Sequence, residues 1–171
     1  VTKQRQQQKA KRHKKELRVI SIIGYTNAGK STLLNTLTKS KVTAESRLFA
    51  TLDPASRRLR FPRDIEVIIT DTVGFIKDLP HDLMVAFRAT LEELEDVDLL
   101  LHIIDISNPR YEEPIKSVEK ILADLNLQNT PTIRALNKMD RVSSRTRAQL
   151  SRKLKGIAIS ARSKATLLPL V

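Results

Sequence analysis

The stretch GYTNAGKS, residues 24–31, is the feature that most constrains what this chain can fold into. It matches the pattern Gly-x-x-x-x-Gly-Lys-Ser/Thr, follows the apolar run RVISII and opens the amphipathic segment KSTLLNTLTK. In such a setting glycine lets the backbone bend close to a phosphate, and successive amide N–H groups face the anion. The chain has only four glycines, and Gly24 and Gly29 take the two required positions. This coincidence favours a phosphate-binding loop over a chance match.

Individual residues of this loop have predictable roles. Lys30 would reach the β- and γ-phosphates of a nucleoside triphosphate, and the Ser31 hydroxyl would be a ligand of Mg²⁺. The loop amides and the start of the following helix would bind the remaining phosphate oxygens. The predicted phosphate-binding residues are Gly24, Tyr25, Thr26, Asn27, Ala28, Gly29, Lys30, Ser31 and Thr32.

Short apolar runs alternate with amphipathic segments along most of the chain. The predicted strands are RVISII, RRLRF, IEVIIT, VDLLLHIID, PTIRAL and GIAI, and the predicted helices are KSTLLNTLTK, LMVAFRATLEEL, YEEPIKSVEKILADL and TRAQLSRKL. Such alternation predicts an α/β fold with a mostly parallel sheet covered on both faces. With the phosphate loop, it predicts a three-layer sandwich on a six-stranded sheet, a P-loop NTPase of the Ras-like G domain type. A last helix is expected to begin near Ala165 and to be cut short at Val171.

Polar motifs follow four of the predicted strands. Gly24 follows the first, and Asp71, Asn137 and Ser160 follow IEVIIT, PTIRAL and GIAI. Open parallel sheets bind ligands outside the carboxyl ends of their strands. We therefore expect these motifs to meet at one edge of the sheet.

The motif NKMD, residues 137–140, predicts guanine as the base. The Asp140 carboxylate can accept the N1–H and 2-amino hydrogens of guanine, and adenine offers neither donor there. Asn137 could bond the other edge of the purine and tie loops together, and the stem of Lys138 could lie on the ring. Ser160 and Ala161 would close the site, with the Ala161 amide facing the guanine oxygen. The alternatives are a solvated turn after a strand, or an ATP-dependent enzyme.

The motif DTVGF, residues 71–75, carries the predicted switch chemistry. Asp71 would hold Mg²⁺ through a water, and the Gly74 amide would donate to the γ-phosphate. Thr51 would complete the Mg²⁺ shell, with Thr43 as the competing candidate and a loop threonine without a ligand role as the third possibility. Phe75 stands where many such enzymes carry a glutamine that orients the attacking water. Its phenyl ring cannot do so, and the alternative role for Phe75 is packing.

Charge is concentrated at the two ends of the chain. The net charge is +12, residues 1–18 carry eight Lys/Arg and one acid, and residues 141–171 carry eight Lys/Arg and no acid. From charge alone, two basic ends indicate either contact with a polyphosphate such as RNA or a solubilising tail and a solvated helix face. Residues 1–17 are interpreted as a basic linker or tail, and residues 18–171 as the GTP-binding domain. With no cysteine, no membrane-length apolar run and no signal region, we expect a soluble cytoplasmic protein.

Taken together, GYTNAGKSTL, LFATLDP, DTVGFIKDLPHDL and NKMD resemble the GTPase domain of the HflX family of ribosome-associated GTPases. The resemblance runs from about Arg18 to about Asp140 and weakly on to Ser160-Ala161. It implies binding of GTP and GDP, Mg²⁺-dependent and slow hydrolysis, and stimulation by the 50S subunit with its rRNA. It further implies, in bacteria, a role in splitting or rescuing ribosomes under stress. We expect the protein to be a monomer and to have no membrane partner.

The resemblance also bears on Phe75 and on two departures. Similar GTPases with a hydrophobic residue at that position hold the water by another group, a partner or an extra cation, and Asn27 matches an asparagine that some relatives use to bind K⁺. The alternative for Asn27 is a phosphate-loop residue that bonds its own loop. A basic RNA-binding module with a nucleotide-controlled clamp is the remaining alternative. Arg134 interrupts a strand that is usually aliphatic in the family, and SARSKA replaces the usual Ser-Ala-Lys turn.

Overall fold

The computed structural model describes residues 18–38, 56–61, 65–71 and 97–170, with residues 56–61 and 65–71 described by their backbone alone. The elements in chain order are β1 (Arg18–Gly24), α1 (Lys30–Thr38), β2 (Ser56–Phe61), β3 (Ile65–Asp71), β4 (Leu99–Asp105), α2 (Glu112–Asp124), β5 (Thr132–Asn137), α3 (Ser144–Leu154) and β6 (Ile157–Ala158). Two 3₁₀ helices, Met139–Arg141 and Lys164–Leu170, follow β5 and β6.

The described strands lie in one sheet, in the order β2-β3-β1-β4-β5-β6. Strand β2 runs antiparallel to β3, and every other neighbouring pair is parallel. The strand β1 is central, so the loop that follows it leaves the middle of the carboxyl edge. The predicted α/β fold with a parallel sheet and helices is confirmed.

Helices cover both faces of the sheet. Neighbouring residues of a strand point to opposite sides, so successive residues of one strand contact different helices. Ile22 of β1 packs with Leu33 and Leu34 of α1, and the next residue, Ile23, packs in a separate cluster with Val118 of α2. A third cluster joins β4 and β5 to α2 and α3, and it contains Ile104, Ile106, Ile115, Leu136, Leu150 and Leu154. Among the described residues, no helix has the length and apolarity needed to cross a membrane.

The end of the chain differs from the expected helix. Residues Lys164–Leu170 form a 3₁₀ helix that contains Pro169. Proline lacks the backbone N–H that an α-helix needs, and its ring clashes with the carbonyl four residues earlier, here that of Ala165. The predictions for residues 1–17, for the helix LMVAFRATLEEL and for Val171 lie outside the described residues.

Arg134, the basic residue inside β5, has a structural explanation. Its guanidinium donates to the Glu119 carboxylate of α2 at 2.8 Å and to the Leu154 carbonyl at the end of α3 at 3.2 Å. It therefore ties both helices to the same strand. The neighbouring His102 is 3% exposed, and its pKa is lowered from 6.5 to about 4, first by burial and then by the charges of Arg134 and Lys30.

Candidate nucleotide-binding site

The phosphate loop turns at two glycines that leave no room for a side chain. At Gly24 φ is +151°, and an added Cβ would lie 2.5 Å from the Ile103 carbonyl oxygen. At Gly29 φ is +102°, and an added Cβ would lie 2.2 Å from Nδ2 of Asn137. Between them, Asn27 is exposed and has a φ of 62°, in the left-handed region. The loop is thus held against β4 at one end and against the NKMD motif at the other.

The side chain of Lys30 lies over this loop. Its Nζ donates to the carbonyl oxygens of Gly24 and Tyr25, each at 3.1 Å, and only 7% of the residue is exposed. Ser31 and Thr32 follow in the first turn of α1 and are half-buried. An ammonium beside a curved backbone at a helix N-terminus forms an electropositive cradle, which suits an anionic ligand.

Asn137 joins the phosphate loop to the turn after β6. It is 2% exposed; its Nδ2 donates to the Ala28 carbonyl oxygen at 2.7 Å, and its Oδ1 accepts from the Ala161 amide at 2.8 Å. Asn137 is the last residue of β5, and Ala161 is 3% exposed. The Ala161 amide, which was predicted to face guanine, therefore donates to Asn137 in this structure. Three segments far apart in sequence meet through one side chain.

Lys138 is oriented by a carboxylate that the motif analysis missed. The residue has a φ of 64°, and its Nζ contacts Oδ2 of Asp105 at 2.6 Å. The other oxygen of Asp105 accepts from the amide and the hydroxyl of Ser107, at 2.9 and 2.6 Å. The signal was present in the sequence, because Asp105 ends the strand between β1 and β5, and strand ends converge at that edge.

Asp140 presents an ionised carboxylate beside the Ser160 side chain. It is exposed within the 3₁₀ helix Met139–Arg141, immediately after Lys138. A hydrogen bond from the Ser160 side chain is the main reason that the pKa of Asp140 lies below its ordinary value; desolvation opposes this, and its own backbone, Arg141 and Arg162 add to it. A carboxylate kept ionised in this way remains an acceptor for the two donors of guanine.

Two threonines fix the turn that contains Ser160 and Ala161. The Ser160 amide donates to Oγ1 of Thr166 at 2.9 Å, and Oγ1 of Thr36 donates to the Ala161 carbonyl oxygen at 2.6 Å. Sequence reasoning identified neither threonine, and no motif spacing points to them. Both contacts depend on how the tertiary structure brings α1, β6 and the last 3₁₀ helix together.

The structure describes only some of the predicted metal and switch residues. Asp71 ends β3, and its Cα pairs with Ile22 of β1, which places its backbone at the same edge as the phosphate loop. Thr51, Gly74 and Phe75 lie outside the described residues. Within the described part of the chain no cluster of three or more His, Asp or Glu could hold a metal by itself. Hydroxyl and carboxylate oxygens such as those of Ser31 and Asp71 suit Mg²⁺ that is shared with phosphates.

A glycine-rich loop before α1 and the loops after β5 and β6 on one sheet edge define the class as a phosphate-loop GTPase. Residues 19–138 match the family described as "50S ribosome-binding GTPase", and the chain belongs to that family as an HflX-type member. The GTPase HflX of Caldanaerobacter subterraneus subsp. tengcongensis is 54% identical over 140 residues, which cover 82% of this chain and 33% of that protein. The Escherichia coli GTPase HflX is 46% identical over 140 residues, with the same coverage of 82% and 33%.

The fold is likewise similar to structures of known GTP-binding proteins. A GTP-binding protein from Sulfolobus solfataricus in complex with GDP aligns with a TM-score of 0.71 and 29% identity, over 90% of this chain and 50% of that one. Era in complex with MgGDPNP and 16S ribosomal RNA nucleotides aligns with a TM-score of 0.61 and 26% identity, over 85% of this chain and 52% of that one. The chain spans about a third of the length of the HflX proteins that it matches.

Proposed function

We propose that this chain is the part of an HflX-type protein that binds GTP and hydrolyses it to GDP and phosphate. The observation that carries the proposal is the Asn137 side chain, which is bonded to both Ala28 of the phosphate loop and Ala161. This bonding joins the phosphate loop, the end of β5 and the Ser160-Ala161 turn, and it supports a single site that would include the Lys30 cradle and the Asp140 carboxylate. A guanine nucleotide matches this site, because its phosphates suit the cradle at Lys30 and its base suits the Asp140 carboxylate.

Some residues of the chain would bind the phosphates, and others would hold the Mg²⁺ that stabilises their charge. The ammonium of Lys30 would give up its hydrogen bonds to two loop carbonyls and bind the β- and γ-phosphates instead. The loop amides would bind the remaining phosphate oxygens. Ser31, Asp71 and Thr51 would hold Mg²⁺, and the Gly74 amide would bond the γ-phosphate. Bound Mg²⁺ supplies neutralisation of the charge that develops on the phosphates. The Era structure with MgGDPNP supports a magnesium nucleotide as the ligand of this fold.

Hydrolysis in this proposal is slow because Phe75 cannot orient the attacking water. Asn27 is the chain's candidate for binding a K⁺ ion beside the β- and γ-phosphates, since it is exposed within the loop. A cation there would stabilise charge in the transition state. Single-turnover GTP hydrolysis should be faster in K⁺ than in Na⁺ and faster with 50S subunits. Equal rates under all these conditions would contradict this part of the proposal.

The large ribosomal subunit is the proposed partner, and α3 the proposed contact with its RNA. Helix α2 has four acidic residues and two lysines, whereas α3 beside it has four basic residues and no acid. Lys153 of α3 is paired with Glu112 at 2.5 Å, but Arg145 and Arg152 are exposed and have no ion pair within the described part of the chain. Being seven residues apart, these two arginines lie on one helix face about 10 Å apart. Such a face suits phosphates of RNA.

The proposed biological role is to split or rescue stalled ribosomes under stress, in the cytoplasm, as a monomer. The complete domain would be a three-layer sandwich on a six-stranded sheet. The family description supports the ribosome as the partner, and the splitting or rescue role is our proposal for a protein whose HflX relatives are about three times as long as the matched segment.

Calorimetric titration of the chain with GDP, GTP and ATP, each with and without Mg²⁺, tests the proposal. We expect both guanine nucleotides to bind, Mg²⁺ to tighten the binding of GTP, and ATP to bind at least 100-fold more weakly, because adenine leaves the Asp140 carboxylate unmatched. Equal affinity for ATP and GTP would overturn the assignment of the base. Failure of every nucleotide to bind would overturn the proposed function.

A further inference from the structure

The hydroxyl of Thr36 lies between two backbone acceptors. Its Oγ1 is 2.9 Å from the carbonyl oxygen of Thr32, in its own helix, and 2.6 Å from the carbonyl oxygen of Ala161. A hydroxyl has one hydrogen to donate. The shorter contact links two positions 125 residues apart in sequence. The bond from Thr36 to Ala161 is therefore a tertiary contact, distinct from the hydrogen bond that a helical threonine commonly makes to a carbonyl of its own helix.

The residue that it contacts is fixed on both sides. The Ala161 amide donates to Oδ1 of Asn137 at 2.8 Å, while its carbonyl accepts from Thr36. The preceding amide, of Ser160, donates to Thr166. Ala161 is 3% exposed and its bond to Asn137 is buried, so water cannot easily replace that bond. Together the bonds define the direction of the peptide groups on either side of Ala161.

Helix α1 connects the two ends of the candidate site. It begins with Lys30 and Ser31, which lie at the phosphate loop, and Thr36 is five residues beyond Ser31 on the same helix. We propose that Thr36 is a positioning residue for guanine recognition, acting through the Ala161 carbonyl to hold the turn whose amide, bonded to Asn137 in this structure, would also donate to the 6-oxo group of a bound base. This inference rests on the proposed function, because it assumes that the pocket binds guanine nucleotides.

The Thr36→Val variant removes the hydroxyl and keeps the shape, so it tests the proposal directly. We expect it to weaken binding of GDP about fivefold, because the part-buried hydrogen bond that holds the Ala161 turn is lost. Inosine diphosphate retains the 6-oxo group and lacks the 2-amino group, so its affinity should fall by the same factor. The 5′-diphosphate of 2-aminopurine riboside lacks the 6-oxo group, and its affinity should change less than twofold. All three affinities are measured by competition against a fluorescent GDP analogue.

Matched variants separate positioning from general stability. Thr36→Ser keeps the hydroxyl and should restore the affinity for GDP to within twofold. Thr132→Val is the control, since the hydroxyl of this exposed threonine donates to the nearby Thr130 carbonyl at the start of β5. It should leave all three affinities unchanged. If Thr36→Val does not fold, as judged by thermal unfolding, Thr36→Ala provides the same comparison.

Each outcome assigns failure to a distinct cause. An equal loss for all three nucleotides would overturn the proposal, because Thr36 would then support the fold rather than the reading of the 6-oxo group. Unchanged affinities in a protein that binds GDP would also overturn it, and the proposed function would stand. A wild-type chain that binds no guanine nucleotide would overturn both.

Discussion

The contact between Gly29 and Asn137 gives the sharpest test of how the site is built. Substitution Gly29→Ala would place a Cβ 2.2 Å from Nδ2 of Asn137, and the next atom along, among the residues that the structure describes, is Cγ of the same side chain, at 3.5 Å. The two residues therefore compete for one space. The new methyl group can be accommodated only if the Asn137 amide moves away from the Ala28 carbonyl and the Ala161 amide.

The expected cost has two separable parts. An alanine at a φ of +102° adds strain of about 1–3 kcal/mol. Displacement of Asn137 loses two buried hydrogen bonds, each worth about 0.5–1.5 kcal/mol. Gly29→Ala should then destabilise the fold by about 2–6 kcal/mol. In an Asn137→Ala background only the strain remains, about 1–3 kcal/mol.

A double-mutant cycle on urea unfolding measures this coupling. The double variant Gly29→Ala/Asn137→Ala should be more stable than the sum of the single effects by about 1–3 kcal/mol. The remote pair Gly29→Ala and Thr132→Val serves as the control and should be additive within about 0.5 kcal/mol. Strict additivity in the first cycle would refute the reasoning, because the methyl group would then have a space that does not involve Asn137.

Two further predictions concern charge. The pKa of His102 is lowered to about 4, so between pH 6.5 and 4 the unfolded chain binds a proton that the folded chain does not. The contribution of His102 to the free energy of unfolding should therefore be complete above pH 6.5 and fall by about 3 kcal/mol towards pH 4. The variant His102→Leu should flatten this pH dependence in urea unfolding. An unchanged slope in the variant would contradict the role of His102. The variant Arg145→Gln/Arg152→Gln should weaken binding to 50S subunits and reduce its salt dependence, while the control Lys116→Gln/Lys120→Gln on α2 should not. Equal effects of the two double variants would argue against α3 as the contact.

The parts of the fold that were predictable are those specified by local patterns. The strands and helices predicted around residues 18–38 and 97–158 begin and end within about two residues of those observed, because apolar periodicity and the phosphate-loop spacing are local signals. The last segment was predicted as a helix, and the consequence of Pro169 for its type was not anticipated. The motif positions that fall within the described residues converge on one edge because parallel strands end together.

The contacts that support the motifs were not predictable in the same way. Thr36, Thr166 and Asp105 act on residues from distant parts of the chain, and a single sequence carries no signal for such pairings. Arg134 was recognised as unusual, but its bonds to α2 and α3 depend on helix packing. The specific roles of the site residues, including the predicted bond from the Ala161 amide to guanine, stay predictions to be tested with bound nucleotide.

The affinities of the wild-type chain and the Asp140→Asn variant for GDP and xanthosine diphosphate test the central claim most directly. Xanthine carries an oxygen where guanine has its 2-amino group, so an asparagine amide matches xanthine as the carboxylate of Asp140 matches guanine. We expect the variant to lose about 100-fold or more in affinity for GDP and to prefer xanthosine diphosphate. A variant that binds GDP as tightly as the wild type would contradict the claim that Asp140 reads the base.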